Sequence, residues 1–427
     1  MLKIKQLWGF ARSLNDEIFM NSQLETAGSQ VDKILARYEA SIQDARRTAA
    51  FANTIIAMFV GMLAMVPVMT FFQIQEININ AFNYNNVLFA LSVSFAFYYT
   101  IVFIFMMVMK LLITSSFFQG KAFEMLSIML LERKEIERVT KLAFLQLNLV
   151  EIIIILFSIP IAGLLITGSI LLFFTSLAVN VLYLTFMHYL LVKTSKSLAK
   201  RLFDSTSNSK LQVVLKIVVG LGYVISMLAF VMGIQFMSSL LPQLIISDLI
   251  SGGSGDTINL VASIIIFPFS GAYLISLSYL PLEFSTMLQF LLPVIGVGLM
   301  VIVSILLLKS GNKDLVQLTL SKEQEGTKRD KENPNTKPFA VEVEKPFNAL
   351  LKKDLLNITR DFGNLINFIF SLVFPLIGLL SLFMTDDRVG DLWGGGLIYV
   401  GFQAYLLNRA IEGSESKMGG LFSALPI

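Results

Sequence analysis

Long apolar runs alternate with short charged islands along this chain, and the alternation lays out its elements. Ala49 to Phe72 is the first run, with Pro67 inside it; Asn86 to Ser116 is the second, and a charge-poor segment from Gln73 to Asn86 separates them. At roughly 1.5 Å per residue, each helix is long enough to cross the roughly 30 Å hydrocarbon core of a bilayer. A charged helical segment follows, Gln119 to Lys141. From Leu145 to Val192 the only formal charge is Glu151, over a length that predicts two spans joined by a tight turn. Pro160, Gly163, Thr167, Gly168 and Ser169 supply the turn chemistry. Lys193 to Lys210 reads as a basic loop, and Leu211 to Leu241 as a fifth span. Pro242 to Thr257 is a Ser- and Gly-rich segment with no basic residue.

Ile258 to Leu308 is long enough for two spans, whereas the charges on either side require an odd number of crossings. The expectation is one full span at about Ser285 to Leu308, preceded by a piece, Ile258 to Leu280, that is broken at Pro268 and Gly271 and returns to the side it came from. Backbone of that kind persists at membrane depth only where it packs against protein or lines a wet cavity. Two ordinary spans with inverted downstream topology are the alternative. Lys309 to Lys345 is a polar linker, expected to be flexible. Pro346 to Phe362 reads as an interfacial helix with Phe347, Leu350, Leu351, Leu355 and Ile358 on one face. Gly363 to Thr385 and about Trp393 to Leu407 complete the spans.

The fold class that follows is an all-α polytopic membrane protein, with about eight full transmembrane helices plus a re-entrant outer segment. Its expected divisions are a leader (1–48), a first six-span half (49–308), the linker (309–345), and the interfacial helix with two spans of a second half (346–427). Composition agrees with this class: 55% of residues are hydrophobic and 15% charged, with a mean hydropathy of +0.72, too few polar side chains to cover a soluble surface. In the leader, Leu2, Ile4, Leu7 and Trp8 recur at helical spacing. They suit a helix on the membrane surface with Trp8 at headgroup level, the alternative being a loosely ordered leader.

Charge placement gives the layout an orientation. Of the 33 Lys and Arg residues, the segments assigned to the outside hold only Arg388. Basic residues near short loops set topology, so the amino terminus, Gln119–Lys141, the 193–210 loop and the linker are expected in the cytoplasm of a multi-pass protein of the cell membrane.

Catalytic chemistry is sparse. There is no Cys and a single His, His188, so neither a zinc set nor a Ser/His/Asp constellation can be argued from spacing. A GxxxxGK[ST] phosphate loop is missing, since Gly120-Lys121 is followed by Ala122. Ile250-Ser251-Gly252-Gly253-Ser254 is a flexible turn, and Asn357-Ile358-Thr359 lies on the cytoplasmic side. The chain is therefore expected to be no enzyme and to hold no cofactor or metal. Among intramembrane polar residues, Glu151 is the one that could face a pathway or a basic partner; it could equally snorkel to the boundary. Asn180, His188, Gln235 and Asn367 read as interhelical hydrogen-bonding groups.

Arg133/Glu137 and Glu137/Lys141 are i,i+4 pairs that support a short helix, while Phe123, Leu126, Met129 and Leu130 form an apolar edge able to dock on a partner. Laying Lys121 on Lys417 places KAFEMLSIMLL over KMGGLFSALPI, with Ser127 on Ser423 and Leu130 on Pro426. The chain ends inside this second copy, as if a second half were cut short.

KKDLLNITRDFGNLINF (Lys352–Phe368) and EGSESKMGGLFSALPI (Glu412–Ile427), together with the order of elements, make the chain resemble the permeases of type-2 ATP-binding-cassette exporters. More narrowly it resembles their double-length members. The first copy departs from the pattern, with Met129-Leu130 where Leu-Pro is usual. The resemblance implies a transmembrane permease coupled to a separate cytoplasmic ATP-binding subunit that carries the ATP and Mg. It implies coupling through Lys121, Phe123, Leu126, Met129, Arg133, Arg138, Glu412 and Lys417, and Glu151 remains a possible pathway residue. Membrane lipid is the other expected partner; nucleic acid is not one. The principal rival is an ion-coupled secondary transporter, and a third reading is a membrane scaffold.

Overall fold

The computed structural model describes residues 3–26, 57–76, 84–118, 131–202, 253–280 and 286–325, with a few isolated positions besides. These residues are all-helical apart from short breaks. The helices are α1 (Ile4–Thr26), α2 (Met65–Glu76), α3 (Tyr84–Phe118), α4 (Arg133–Leu147), α5 (Leu149–Thr167), α6 (Ile170–Leu202), α7 (Gly253–Ile264), α8 (Gly271–Tyr279) and α9 (Met287–Glu325). Five stretches are long and apolar enough to cross a membrane: Ala57–Gln75, Tyr84–Val108, Leu149–Thr167, Ile170–Ala199 and Met287–Val316. They coincide with the first four spans and the sixth expected from the sequence. Leu211–Leu241, apart from isolated residues, and everything from Gly326 onward lie outside the described residues, as do the seventh and eighth expected spans.

Several helices run past the charges at which the sequence had them stop. α6 continues to Leu202 through the stretch read as a basic loop, because Val192, Ser195 and Ala199 stay buried and Lys196 Nζ reaches Asp314 Oδ1 at 2.7 Å. α9 likewise continues to Glu325, so residues 309–325, assigned to the flexible linker, are helical. There, Gly311 admits the ring of Tyr189: a Cβ at that position would lie 2.6 Å from the ring. The first turn of α7 similarly occupies 253–256, within the stretch read as a loop.

The turn between α5 and α6 is shorter than expected. Gly168 alone takes the left-handed conformation, at φ 68°, and its N–H closes on Leu164 O. Pro160 and Gly163, read as turn residues, lie inside α5. Gly163 lets Leu172 close in, since a Cβ there would meet Leu172 Cδ2 at 2.9 Å. Pro160 has no N–H to give the carbonyl of Leu156, four residues back. Asn180 of α6 fills that gap: its Nδ2 donates to Ile155 O at 2.9 Å and to Leu156 O at 3.1 Å. Its Oδ1 accepts the hydroxyl of Tyr99 at 2.6 Å. Asn180 is thus the interhelical group the sequence indicated, joining α3, α5 and α6 where no water could satisfy the freed carbonyl.

Between α7 and α8 the chain bends by 116°, at an elbow formed by Ile266–Ser270 in which Phe267 is extended and the Phe267–Pro268 peptide is cis. Tyr183 of α6 holds the elbow: its hydroxyl donates to Pro268 O at 2.8 Å and accepts Gly271 N–H at 2.9 Å. Gly271 is obligatory here, because a Cβ would stand 2.5 Å from that hydroxyl. Tyr183 lies thirteen residues along α6 from Ile170, roughly 20 Å at helical rise. The two arms lead away to neighbouring places. Asn259 Nδ2 donates to Asn85 O at the start of α3, and Tyr279 packs its ring on Phe71 near the end of α2, centroids 5.0 Å apart. The break expected at Pro268 and Gly271 is the one observed.

Two apolar clusters organise the interior. The larger one joins α2, α3, α5, α6 and α8 around Phe95, Tyr98, Tyr99, Tyr183 and Tyr273. The smaller gathers α1 and α4 onto the far ends of α3, α6 and α9 around Leu14, Ile18, Phe117 and Phe144. α1 is a regular helix, but its residues divide. Leu7, Ala11, Leu14 and Ile18 are buried in that cluster, whereas Ile4 and Trp8 are exposed. Leu7 therefore packs against protein rather than sharing one membrane-facing stripe with Ile4 and Trp8.

Replacing Asn180 with Ala is expected to lower stability by about 2 kcal/mol, because the Leu156 carbonyl and the Tyr99 hydroxyl lose their partner. Pro160→Ala restores an N–H for that carbonyl. The penalty of Asn180→Ala should then shrink in the P160A background by about 1 kcal/mol, a coupling measurable by thermal unfolding of the four proteins in detergent.

Candidate functional site

The polar residues that stand out from the apolar interior cluster where α4 gives way to α5. α4 starts sharply at Arg133. The Glu135 carboxylate accepts the backbone N–H of Glu132 at 3.3 Å, which satisfies one of the donors a helix start leaves open. Glu135, Val139, Thr140, Ala143, Phe144 and Leu147 form the buried face, and α1 docks beside it. Asn15 Nδ2 donates to Ala143 O at 3.0 Å and to Gln146 Oε1 at 3.1 Å, and Gln146 Nε2 donates to Trp8 O at 3.2 Å.

The opposite face of α4 is basic and exposed. Lys134, Arg138 and Lys141 recur at i, i+4 and i+7 along it, with Arg133 at its edge. Arg133 Nε stands 3.7 Å from Glu137 Oε1, as the spacing suggested, while Glu137 and Lys141 do not close to contact. Of the coupling residues named from the sequence, Arg133 and Arg138 are therefore on one exposed helix. Lys121, Phe123, Leu126, Met129, Glu412 and Lys417 lie outside the described residues, as does the whole apolar edge expected from Phe123, Leu126, Met129 and Leu130. The helix itself extends to Leu147, beyond the Lys141 limit.

α4 and α5 are separated only by Asn148, which leaves helical geometry at φ −118°, ψ 11°. Glu151, in the first turn of α5, is completely buried and does not snorkel. Its Oε1 lies 2.6 Å from Lys110 Nζ of α3, itself 1% exposed. Lys110 Nζ also donates to Leu147 O at 3.0 Å, the last residue of α4. One ammonium group therefore clamps the end of α4 and the start of α5 to α3. Neither carboxylate oxygen of Glu151 has a hydrogen-bond partner among the described residues, so the ion pair with Lys110 is what answers its charge.

Lys110, the partner of Glu151, was not singled out from the sequence; it lies inside the second expected span, Asn86 to Ser116, and inside α3, which ends at Phe118. The available signal was its setting, MMVMKLLI, a lone cation with apolar neighbours on both sides. Such residues usually face a protein interior and a partner. Asn148 was also missed. Its Nδ2 donates to Phe144 O at 3.2 Å, its Oδ1 has no partner among the described residues, and it lines a small cavity.

That cavity has room for about one water and lies between α3, α5 and α6. Asn148, Met106, Met107, Met187 and His188 contribute to its wall, with aliphatic side chains closing the rest. His188, read as an interhelical hydrogen-bonding group, instead packs its ring edge-on against Phe144 at 4.9 Å and Tyr189 at 5.3 Å. Neither of its ring nitrogens is hydrogen-bonded to a described residue.

Removing one member of a buried pair leaves an uncompensated charge, whereas replacing both with apolar groups of similar volume is far milder. Lys110→Met is expected to cost about 3–5 kcal/mol, and Lys110→Met with Glu151→Met to recover most of that loss. Thermal unfolding of the single and double variants in detergent checks this.

No family model matches the chain, and no curated protein or solved structure matches it either. The geometry is that of a protein all-helical among the described residues, with five helices fit to cross a membrane, and so of a multi-pass membrane protein.

Proposed function

We propose that the chain is the transmembrane permease component of an ATP-driven export system, coupling hydrolysis by a separate cytoplasmic ATP-binding subunit to movement of a substrate across the cell membrane. The observation that carries this reading is the placement of α4. One face of it is exposed and basic at Lys134, Arg138 and Lys141, the other is buried against α1 and the bundle, and its last carbonyl is fixed by Lys110. A force applied to the exposed face has a short rigid route into α3 and α5.

In this reading α1 and α4 lie on the cytoplasmic side, in line with the placement of basic residues. The α7–elbow–α8 segment dips in from the outer side and returns, its elbow clasped by Tyr183. ATP-driven closure of the partner subunits shifts the balance between two packings of the bundle, as such transitions do when a ligand binds one state better. ATP and Mg belong to the partner, and membrane lipid surrounds the apolar faces of α5 and α9.

A second reading, an ion-coupled transporter, draws support from the buried Lys110–Glu151 pair, since intramembrane ionisable residues often mark ion routes. Such proteins employ paired carboxylates on matching repeats, and among the described residues Glu151 alone supplies that poorly. A scaffold without transport activity has no observation in its favour.

Charge reversal at both Arg133 and Arg138 is expected to abolish co-purification of a cytoplasmic ATPase from the native host while membrane insertion stays intact. Co-purification at the level of the unaltered chain would refute docking through α4. Transport that stops with a protonophore and continues without ATP would favour the second reading.

A further inference from the structure

One face of α9 is left open by the bundle along its whole apolar length. Leu288, Leu291, Ile295, Leu299, Ile302 and Leu306 are all exposed, and their spacing of three and four residues sets them on one straight stripe. The next two positions of the same stripe are Lys309 and Lys313, both exposed. Leu288 and Leu306 are about 27 Å apart at helical rise, close to the roughly 30 Å thickness of bilayer hydrocarbon. The stripe therefore passes from apolar side chains to two cations at the depth where phosphate groups begin.

These lysines are not committed elsewhere. Asp314, next to Lys313 in sequence, is taken by Lys196 of α6 at 2.7 Å, and no described carboxylate pairs with Lys309 or Lys313. The buried residues among them lie on the other side of the helix: Tyr189 of α6 packs its ring on Gly311, and Leu315 joins the cluster around Phe144. The contact with Tyr189 also fixes the level of α6 beside α9. One turn beyond Tyr189 is Lys193, exposed and likewise without a described carboxylate, so a third cation stands at the level of the pair.

An apolar stripe that ends in unanswered ammonium groups matches the order of groups along a phospholipid, acyl chain and then phosphate. A zwitterionic headgroup brings its own cation to the lysines, whereas an anionic one brings net negative charge. Each lysine near such a headgroup favours it about fivefold. A second copy of the chain packed on this stripe about a two-fold axis would set the same lysines against each other, like charge on like.

We propose that this stripe binds an anionic phospholipid in preference to a zwitterionic one, with its chains along Ile302 and Leu306 and its phosphate on Lys309 and Lys313. Lys193 adds to the positive field there. The inference rests on the chain being a multi-pass membrane protein, and is independent of transport and of any ATPase.

The test uses the full chain with Trp8→Phe and Trp393→Phe, which removes both native tryptophans, and with Leu306→Trp as reporter. It is reconstituted in phosphatidylcholine vesicles in which a fixed share of the lipid is replaced by phosphatidylglycerol, or by phosphatidylcholine, with brominated chains that quench a neighbouring tryptophan. Brominated phosphatidylglycerol is expected to compete for the reporter at least about fivefold better than brominated phosphatidylcholine. Lys309→Gln with Lys313→Gln should bring that ratio close to one. A reporter at the other end of the stripe, Leu288→Trp, should show no preference. Equal quenching by the two lipids at 306 would overturn the proposal, as would a preference that survives loss of both lysines or is as large at 288. Quenching by neither lipid would overturn it too, because protein then covers the stripe. Should Leu306→Trp fail to fold, judged by elution and thermal unfolding, Ile302→Trp takes its place with the same expectations.

Discussion

The contact between Lys110 and Glu151 governs how the parts of this molecule hold together. Both groups are withdrawn from solvent, and an ion pair at such a depth is tolerated only when each charge answers the other and nearby dipoles help. Lys110 Nζ meets the carboxylate and the Leu147 carbonyl at once. The end of α4, the kink at Asn148 and the start of α5 are thereby fixed to one point on α3. Burial of α4 against α1 then follows, because Phe144 and Leu147 are held at the depth where Leu14, Ile18 and Phe117 can close around them.

The same need to satisfy polar groups away from water recurs higher in the bundle. Asn180 supplies the donor that Pro160 cannot, and the hydroxyl of Tyr183 bridges the two sides of the elbow. Each of these side chains replaces a backbone partner lost to a proline or a bend. Polar residues here are thus placed where the backbone fails, and the apolar mass around Phe95, Tyr98 and Tyr99 excludes the water that would otherwise do the task.

Much of this was legible in the residues themselves. The runs of apolar side chains locate the first four spans and the last described one, and Pro268 with Gly271 marks the elbow. Asn180 reads as an interhelical group because an amide inside a span needs a partner. The limits of the helices were harder to read. Lys193, Lys196 and Lys309 look like boundaries, yet the helices run on past them. Lys110 and Lys196 find carboxylates on other helices. Those partners are far away in sequence, so neither spacing nor periodicity shows them. Leu7 of α1 was misassigned for a related reason, because an apolar stripe does not say whether lipid or protein covers it. The coupling residues Lys121, Phe123, Leu126 and Met129 lie outside the described residues, and the exposed basic face of α4 is the part of that segment on which structure bears.

Orientation decides the proposed function, because only an inward-facing α4 can meet a cytoplasmic ATPase. A chain without cysteine makes the measurement clean: single cysteines at Arg138 and at Ser169, probed in intact and in permeabilised cells with a membrane-impermeant maleimide. Labelling at 169 in intact cells, and at 138 only after permeabilisation, is the predicted result. Labelling at 138 in intact cells, with 169 protected until the membrane is opened, would contradict it.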